Sequence, residues 1–203
     1  EEYVTMHWTQ AVIATALAIY LGSFLITAAA ARRAGGESSV GHSGGHPVGV
    51  VLSLLASAML LLTAGAYILD AQSVALFRHL VLLSHPIIRF LGVVALLLAT
   101  VLLIWAEVSI GGSFRVALPK DKQPLVTDGI YSIIRNPMAL SVDLVALGVL
   151  LLAPSCLALL SLALNVVSYE WKVRTEEDYL RDAHGALYEA YSARTGRYLP
   201  RLF

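Results

Sequence analysis

The chain has 203 residues, of which 58% are hydrophobic and 14% charged, where an ordinary soluble domain carries about 25% charged residues. Lys plus Arg (14) balances Asp plus Glu (14), so no net basic field attracts nucleic acid. The single cysteine, Cys156, excludes an internal disulfide framework and a cysteine-based zinc site. What remains is the composition of one compact membrane bundle.

Crossing about 30 Å of hydrocarbon takes roughly 20 apolar helical residues. Trp8 to Ala31 is the first such run. It is too long for a cleaved signal peptide, and Glu1 and Glu2 stand where a basic leader segment would carry Lys or Arg. The stretch from Arg32 to Pro47, rich in Gly, Ser and His, reads as a link. Gly41 to Gly45 within it match G-x-S-x-G, but the hydrolase elbow needs a strained turn between a strand and a helix. His42 and His46 would face one another only on a helix, and Gly44 and Gly45 between them oppose one. They are expected to be solvated, and no metal site is expected.

Val48 to Leu69 is the second apolar run. Asp70 to Pro86 then mixes Leu76, Phe77 and Leu80 with Arg78 and His79, as does a short helix lying in the membrane interface. Ile87 to Trp105 is the third span, and Glu107 to Pro137, with its interleaved Gly, Pro, charges and aromatics, reads as a folded inner loop. Met138 to Val173 is a fourth apolar block, broken at Ala153, Pro154 and Ser155. Proline cannot sit in a helix interior without losing a hydrogen bond, so the break predicts a helical hairpin and five crossings in all. With the N-terminus outside, Arg32, Arg33, Arg115, Lys120, Lys122, Arg135 and every basic residue from Lys172 onward fall inside, leaving Arg78 and Arg89 outside. That asymmetry sets the expected orientation.

After the last span, Thr175 followed by Glu176, Glu177 and Asp178 reads as the start of a separate C-terminal helix with acid in its first turn. Leu180, Ala183, Leu187, Tyr188 and Tyr191 recur at intervals of three and four, forming one apolar stripe. Gly196 and Pro200 close the helix.

Asp143 is the ionisable residue inside a span. A carboxylate there costs at least about 2.5–3.5 kcal/mol, so it is expected to face an interior or a cavity. Seven residues at 100° each bring it to nearly the helix face of Asn136, so both should look into one space. It serves either chemistry there or a bond to Ser141 or to a hydroxyl of another helix. Glu107 and Glu170, near the inner ends of their spans, are expected to reach water.

Leu125 to Met138, L-V-T-D-G-I-Y-S-I-I-R-N-P-M, resembles the signature L-V-x-x-G-x-Y-x-x-x-R-[HN]-P-[ML] of integral membrane methyltransferases related to isoprenylcysteine carboxyl methyltransferase and the phospholipid methyltransferases. Glu176, Glu177 and Leu180 are similar to the family's E-E-x-x-L, and Gly185, Tyr188, Tyr191, Gly196, Arg197 and Pro200 to its C-terminal pattern. Trp105 with Gly112, Ser113 and Phe114 looks like a weaker upstream element. The resemblance covers about half the chain, Trp105 to Pro200, and divides it into N-terminal spans, 1–104, and a catalytic region, 105–203.

The resemblance implies an all-α integral membrane protein that uses S-adenosylmethionine. Five transmembrane helices, the last two a hairpin, would carry a cytoplasmic loop and C-terminal helix over the cofactor. It implies a lipophilic small-molecule, lipid or prenylated acceptor arriving from the bilayer, and a prokaryotic plasma membrane as location. Asn136, Pro137 and Met138 then open the fourth span, whose free N–H groups would face the cofactor's carboxylate beside Arg135. Glu176 and Glu177 would hold its ribose hydroxyls or ammonium. Tyr131, Tyr188 and Tyr191 would wall the adenine or the sulfonium. Gly129 would make a tight turn, Arg197 would pin the tail by a carboxylate bridge, and Asp143 would assist deprotonation of an amine or thiol acceptor. Arg135, Asn136, Asp143 and Glu177 are thus the candidate catalytic residues. The family's usual Y-x-G reads Ala139-Leu140-Ser141 here, which leaves space beside the pocket and the acceptor open. A sterol-type reductase using NADPH and a non-catalytic scaffold are the alternative readings.

Overall fold

The structure is a computed structural model that describes residues 2–33, 47–70, 80, 83, 85–110 and 125–201, with side chains in the first two helices described for 8–30 and 51–69. The described residues form six α-helices: α1 (Glu2–Arg33), α2 (Pro47–Leu69), α3 (Pro86–Ile110), α4 (Pro137–Leu152), α5 (Cys156–His184) and α6 (Ala186–Arg194), with a 3-10 turn at Gly129–Ser132 before α4. No strand occurs among the described residues. Three of the helices begin at a proline, whose fixed φ suits a first turn that needs no N–H.

Among the described residues, four segments are long and apolar enough to cross a bilayer: Trp8–Ala30 of α1, Val51–Leu69 of α2, and the whole of α3 and α5. The chain is an integral membrane protein. Against the expected five full spans, α4 has only 16 residues, about 24 Å at 1.5 Å per residue. The 29 residues of α5 exceed what one crossing requires. Ala153, Pro154 and Ser155 connect the two, and Ser155 caps α5 by accepting the Ala158 N–H at 3.1 Å.

The expected helix start at Thr175 is corrected. Thr175 lies within α5, its hydroxyl bonded back to the Trp171 carbonyl at 3.1 Å. The change to polar composition does not end the helix, which continues to His184. The predicted apolar stripe is likewise interrupted: Gly185, at φ +51°, separates α5 from α6, Leu187 is 71% exposed, and Tyr188 and Tyr191 are buried. The G-x-S-x-G segment, His42, His46, most of the proposed interfacial helix, and residues 111–124 of the inner loop lie outside the described residues, while 107–110, expected in that loop, continue α3.

The bundle is held by close apolar packing with hydroxyls at the seams. Between α3 and α4, a Cβ on Gly148 would come within 2.7 Å of the Leu96 side chain, and one on Gly92 within 2.9 Å of Leu152. Absent side chains are what let these two helices approach. Tyr67 of α2 bonds Thr9 of α1 at 2.7 Å, and Ser161 of α5 lies 3.1 Å from Thr63 of α2. Asn165 of α5 donates to the Ala56 carbonyl of α2 at 3.2 Å. Outward residues of α3 such as Leu97, Val101 and Val108 are more than 60% exposed, the surface that hydrocarbon covers.

Candidate functional site

The segment before α4 is shaped by glycine. Gly129 has φ +58°, and a Cβ there would strike the Ser109 side chain in the last turn of α3. Ser109 in turn accepts the Ile130 N–H at 3.3 Å and donates to the Trp105 carbonyl at 2.8 Å. Ile130, Tyr131 and Ile134 bury against Ala106 of α3, with Met138 packed beside them. The 3-10 turn is therefore anchored to α3 from both backbone and core.

Residues 133–136 then run alongside the C-terminal tail. Gly196 N–H donates to Ile133 O at 3.2 Å, Arg135 N–H to Gly196 O at 2.8 Å, and Asn136 N–H to Arg197 O at 3.1 Å, a parallel bridge centred on Ile134 and Gly196. Gly196 carries no side chain because a Cβ would collide with the Leu199 carbonyl. Register in this ribbon brings Arg135 and Arg197, 62 positions apart in the chain, to one carboxylate.

That carboxylate is Glu177 of α5, 3% exposed. Its Oε1 accepts Arg135 Nε at 3.1 Å and Asn136 Nδ2 at 3.0 Å. Its Oε2 accepts Arg197 Nη2 at 2.6 Å and Arg197 Nε at 3.1 Å. The pairing holds the Arg197 guanidinium further toward its charged form. Arg135 Nη1 also donates to the Ser192 carbonyl at 3.0 Å and to that of Thr195, tying the end of α6 to the same point, while its Nη2 has no partner among the described residues.

One heptad along α5, Glu170 repeats the arrangement, accepting Arg174 Nε at 2.7 Å, Arg197 Nη1 at 3.2 Å and the Tyr198 hydroxyl at 2.7 Å. Burial and that bond to Glu170 push the Tyr198 phenol upward. Asn136 meets Glu177, and Asp143, seven residues on, lies within electrostatic reach of Glu170, seven residues back; the same antiparallel register carries both pairs. Ser141 does not satisfy Asp143: its hydroxyl bonds the Met138 carbonyl at 2.7 Å and Tyr20 at 2.8 Å. Asp143 Oδ1 is buried with no partner among the described residues.

The aromatic residues close the other side. Tyr191 donates to the Tyr131 carbonyl at 2.8 Å and meets Tyr188 edge-on with centroids 6.1 Å apart. Burial pushes the Tyr191 phenol up to about 12 against the pull of Arg135. The Tyr188 hydroxyl is buried without a partner among the described residues, and Arg181 sits 5.7 Å from its ring centroid. Pro137 occupies the first turn of α4, as expected, and is buried there.

Of the residues singled out in the sequence, Arg135, Asn136, Glu177 and Arg197 thus converge on one ion cluster, with Tyr131, Tyr188 and Tyr191 around it. Glu176 does not join them; it pairs with Lys172 at 3.8 Å on a half-exposed face of α5. Glu107 corrects an expectation: far from reaching water, it is 4% exposed. Glu170 and Tyr198 belong to the site although the sequence reading left them out of it. The seven-residue spacing from Glu170 to Glu177 was the available signal, since it puts both on one helix face.

The site is thus a dense charged cluster between α4 and α5, built from the signature segment, α5 and the C-terminal tail. Residues 87–186 match the family described as Phospholipid methyltransferase, and the chain carries a domain of that family, within the isoprenylcysteine and phospholipid methyltransferase group. The match takes in α3, the signature segment, α4 and α5 and ends where α6 begins. The chain is also 31% identical over 119 residues to the cobalt-zinc-cadmium resistance protein CzcN of Cupriavidus metallidurans, covering 58% of this chain and 51% of that one. The chain therefore spans about half the length of that curated relative.

Proposed function

We propose that this protein is an S-adenosylmethionine-dependent methyltransferase acting on a lipophilic acceptor that reaches the site from the bilayer. The observation that carries the reading is the cluster of Arg135, Asn136, Arg197 and buried Glu177, assembled from three separate stretches of the family signature. Two buried polar atoms without partners among the described residues, Tyr188 Oη and Asp143 Oδ1, suit a polar ligand at this place. S-adenosylmethionine, when bound, supplies a methyl group made electrophilic by its positively charged sulfur.

In this reading Glu177 acts by position. With both oxygens filled by the chain's own donors, it aims Arg135 and fixes the tail. Arg135 Nη2 and the first turn of α4 offer donors to a carboxylate, and Tyr131, Tyr188 and Tyr191 present aromatic faces to a cation. Transfer to the acceptor then depends on alignment and exclusion of water, which the ribbon of residues 133–136 and the tail supply by covering the helix ends. Asp143 accepts the proton of an acceptor that must be deprotonated. We read α4 and α5 as a hairpin completing five crossings, with the N-terminus outside and the site on the cytoplasmic face. Residues 105–203 form the catalytic region and 1–104 the supporting spans.

Binding to the purified full chain in detergent tests the proposal. S-adenosylmethionine and S-adenosylhomocysteine are expected to bind in the micromolar range, and Arg135→Ala and Glu177→Gln, shown to be folded by their melting curves, are expected to lose that binding. Tight NADPH binding in their place would make the protein a reductase, and binding of none of the three would make it a scaffold.

A further inference from the structure

Away from the ion cluster, the seam between α2 and α5 carries a row of buried polar side chains. Ser161, Asn165 and Ser168, at intervals of four and three, share one face of α5 and are 0%, 0% and 2% exposed. Asn165 lies nine residues into α5, about 14 Å from its start and so near the middle of a bilayer's hydrocarbon. Both hydrogens of its amide are spent: Nδ2 donates to the Ala56 carbonyl of α2 at 3.2 Å and to the Ser161 carbonyl at 2.8 Å. Those two acceptors fix the amide's orientation, since the reversed amide would set oxygen against both carbonyls. Oδ1 is left buried with no partner among the described residues.

Ser168 stands in the same condition. Its hydroxyl hydrogen goes to the Leu164 carbonyl at 2.5 Å, so toward any other group its oxygen can only accept. No donor reaches it among the described residues. Residues three apart on a helix have Cβ atoms about 5–6 Å from one another, and the bond back to Leu164 turns Ser168 Oγ toward the turn that holds Asn165. Two acceptors thus adjoin with no hydrogen between them, at a depth where an unmade bond goes uncompensated. The chain's own bonds close the seam on either side: Thr63 with Ser161 at 3.1 Å, one turn before Asn165, and Ser57 with Tyr169 at 3.4 Å, one turn after. Across from the amide, Ala56 contributes only a methyl group.

We propose that this seam binds one internal water molecule, which donates one hydrogen to Asn165 Oδ1 and the other to Ser168 Oγ. Water is the small ligand whose two hydrogens match two acceptors. A cation suits the place poorly: the acceptors are neutral, and α2 brings no Asp or Glu to the seam, so its charge would stay uncompensated. The bound water fixes the rotation of α5 against α2. Ser168 and Glu170 are two residues, about 200°, apart on the helix. Seating Ser168 against α2 therefore turns Glu170 and, seven residues on, Glu177 toward the opposite side, where α4 and the tail meet them.

Crystals of the full chain grown from a lipid mesophase, at a resolution that shows ordered solvent, are expected to hold one water within about 2.5–3.0 Å of both oxygens. Hydroxyl-radical footprinting in phosphatidylcholine nanodiscs, in which X-rays split water and oxidise the side chains beside it, gives the readout in solution. Leu60, 5% exposed and one turn after Ala56 on α2, is expected to be oxidised in the parent chain. The marking should fall at least threefold in Ser168→Ala, which removes one of the two acceptors and is checked for folding by its melting curve. Leu96, 2% exposed in the seam between α3 and α4, is the dry control and should stay unmarked in both. If the variant fails to fold, the contrast between Leu60 and Leu96 in the parent chain decides the point. Equal background oxidation of the two leucines, marking of Leu60 unchanged in folded Ser168→Ala, or density at the two oxygens that belongs to a cation or a protein group overturns the assignment. None of these readouts involves the cofactor, so the outcome is independent of the proposed function.

Discussion

Glu177 is a carboxylate with every acceptor position filled, and each filling is specific to one side chain: Arg135, Asn136 or Arg197. Removing one partner of such a buried pair typically costs about 3–5 kcal/mol because the survivor is left uncompensated. The residue is therefore as much a joint as a ligand. Tyr191 is a second joint, closing α6 onto the 3-10 turn through the Tyr131 carbonyl. Burial pushes its phenol up to about 12, while an unfolded tyrosine releases its proton near pH 10. Between those values the folded chain retains a proton that the unfolded chain gives up, so this contribution is whole below pH ~10 and declines as pH rises toward 12. Melting temperatures in detergent should fall more steeply from pH 10 to 12 in the parent chain than in Tyr191→Phe; parallel curves would remove Tyr191 from the account.

At the level of helices, apolar runs and prolines mark most of the ends. The starts of α2, α3 and α4 fall at Pro47, Pro86 and Pro137, each within a residue of the predicted span start, because a first-turn proline and the onset of an apolar run are both local signals. The end of α5 is different. Acidic residues after Thr175 mimic a helix start, and composition registers leaving the lipid at the same point. The backbone bond from each residue to the one four before it is indifferent to that change of solvent, so α5 continues to Gly185. The seam between α3 and α4 gives the clearest test at this level. In Gly148→Ala the new methyl group meets Leu96 at about the 2.7 Å contact described above, and over-packing of this kind costs about 1–3 kcal/mol. Thermal unfolding should show that loss, and Leu96→Ala in the same chain should recover part of it. Additive losses would mean that the two residues do not meet.

For the whole molecule, the proposed topology places the α4–α5 connection on the side opposite Glu177. Cys156, exposed and the single cysteine of the chain, stands at that connection and is a ready reporter. A membrane-impermeant maleimide added outside intact cells is expected to label it without permeabilisation. Labelling that requires permeabilisation would invert the topology and put the ion cluster outside. Much of this architecture is written locally. A run of about 20 apolar residues is committed to hydrocarbon by its own transfer free energy, and Arg135, Asn136 and Pro137 stand side by side in a recognisable pattern. Partnership is another matter. Arg135 finds Glu177 across 42 positions, and Ser23 finds Glu107 across 84. That Glu177 is sealed among cations, that Glu176 beside it pairs outward, and that Glu107 is buried where water was expected all depend on which helices come together and in what register. Periodicity tells which face of a helix a residue occupies, but not what the facing helix brings to it; that follows from the Gly92–Gly148 approach and the antiparallel register of α4 and α5.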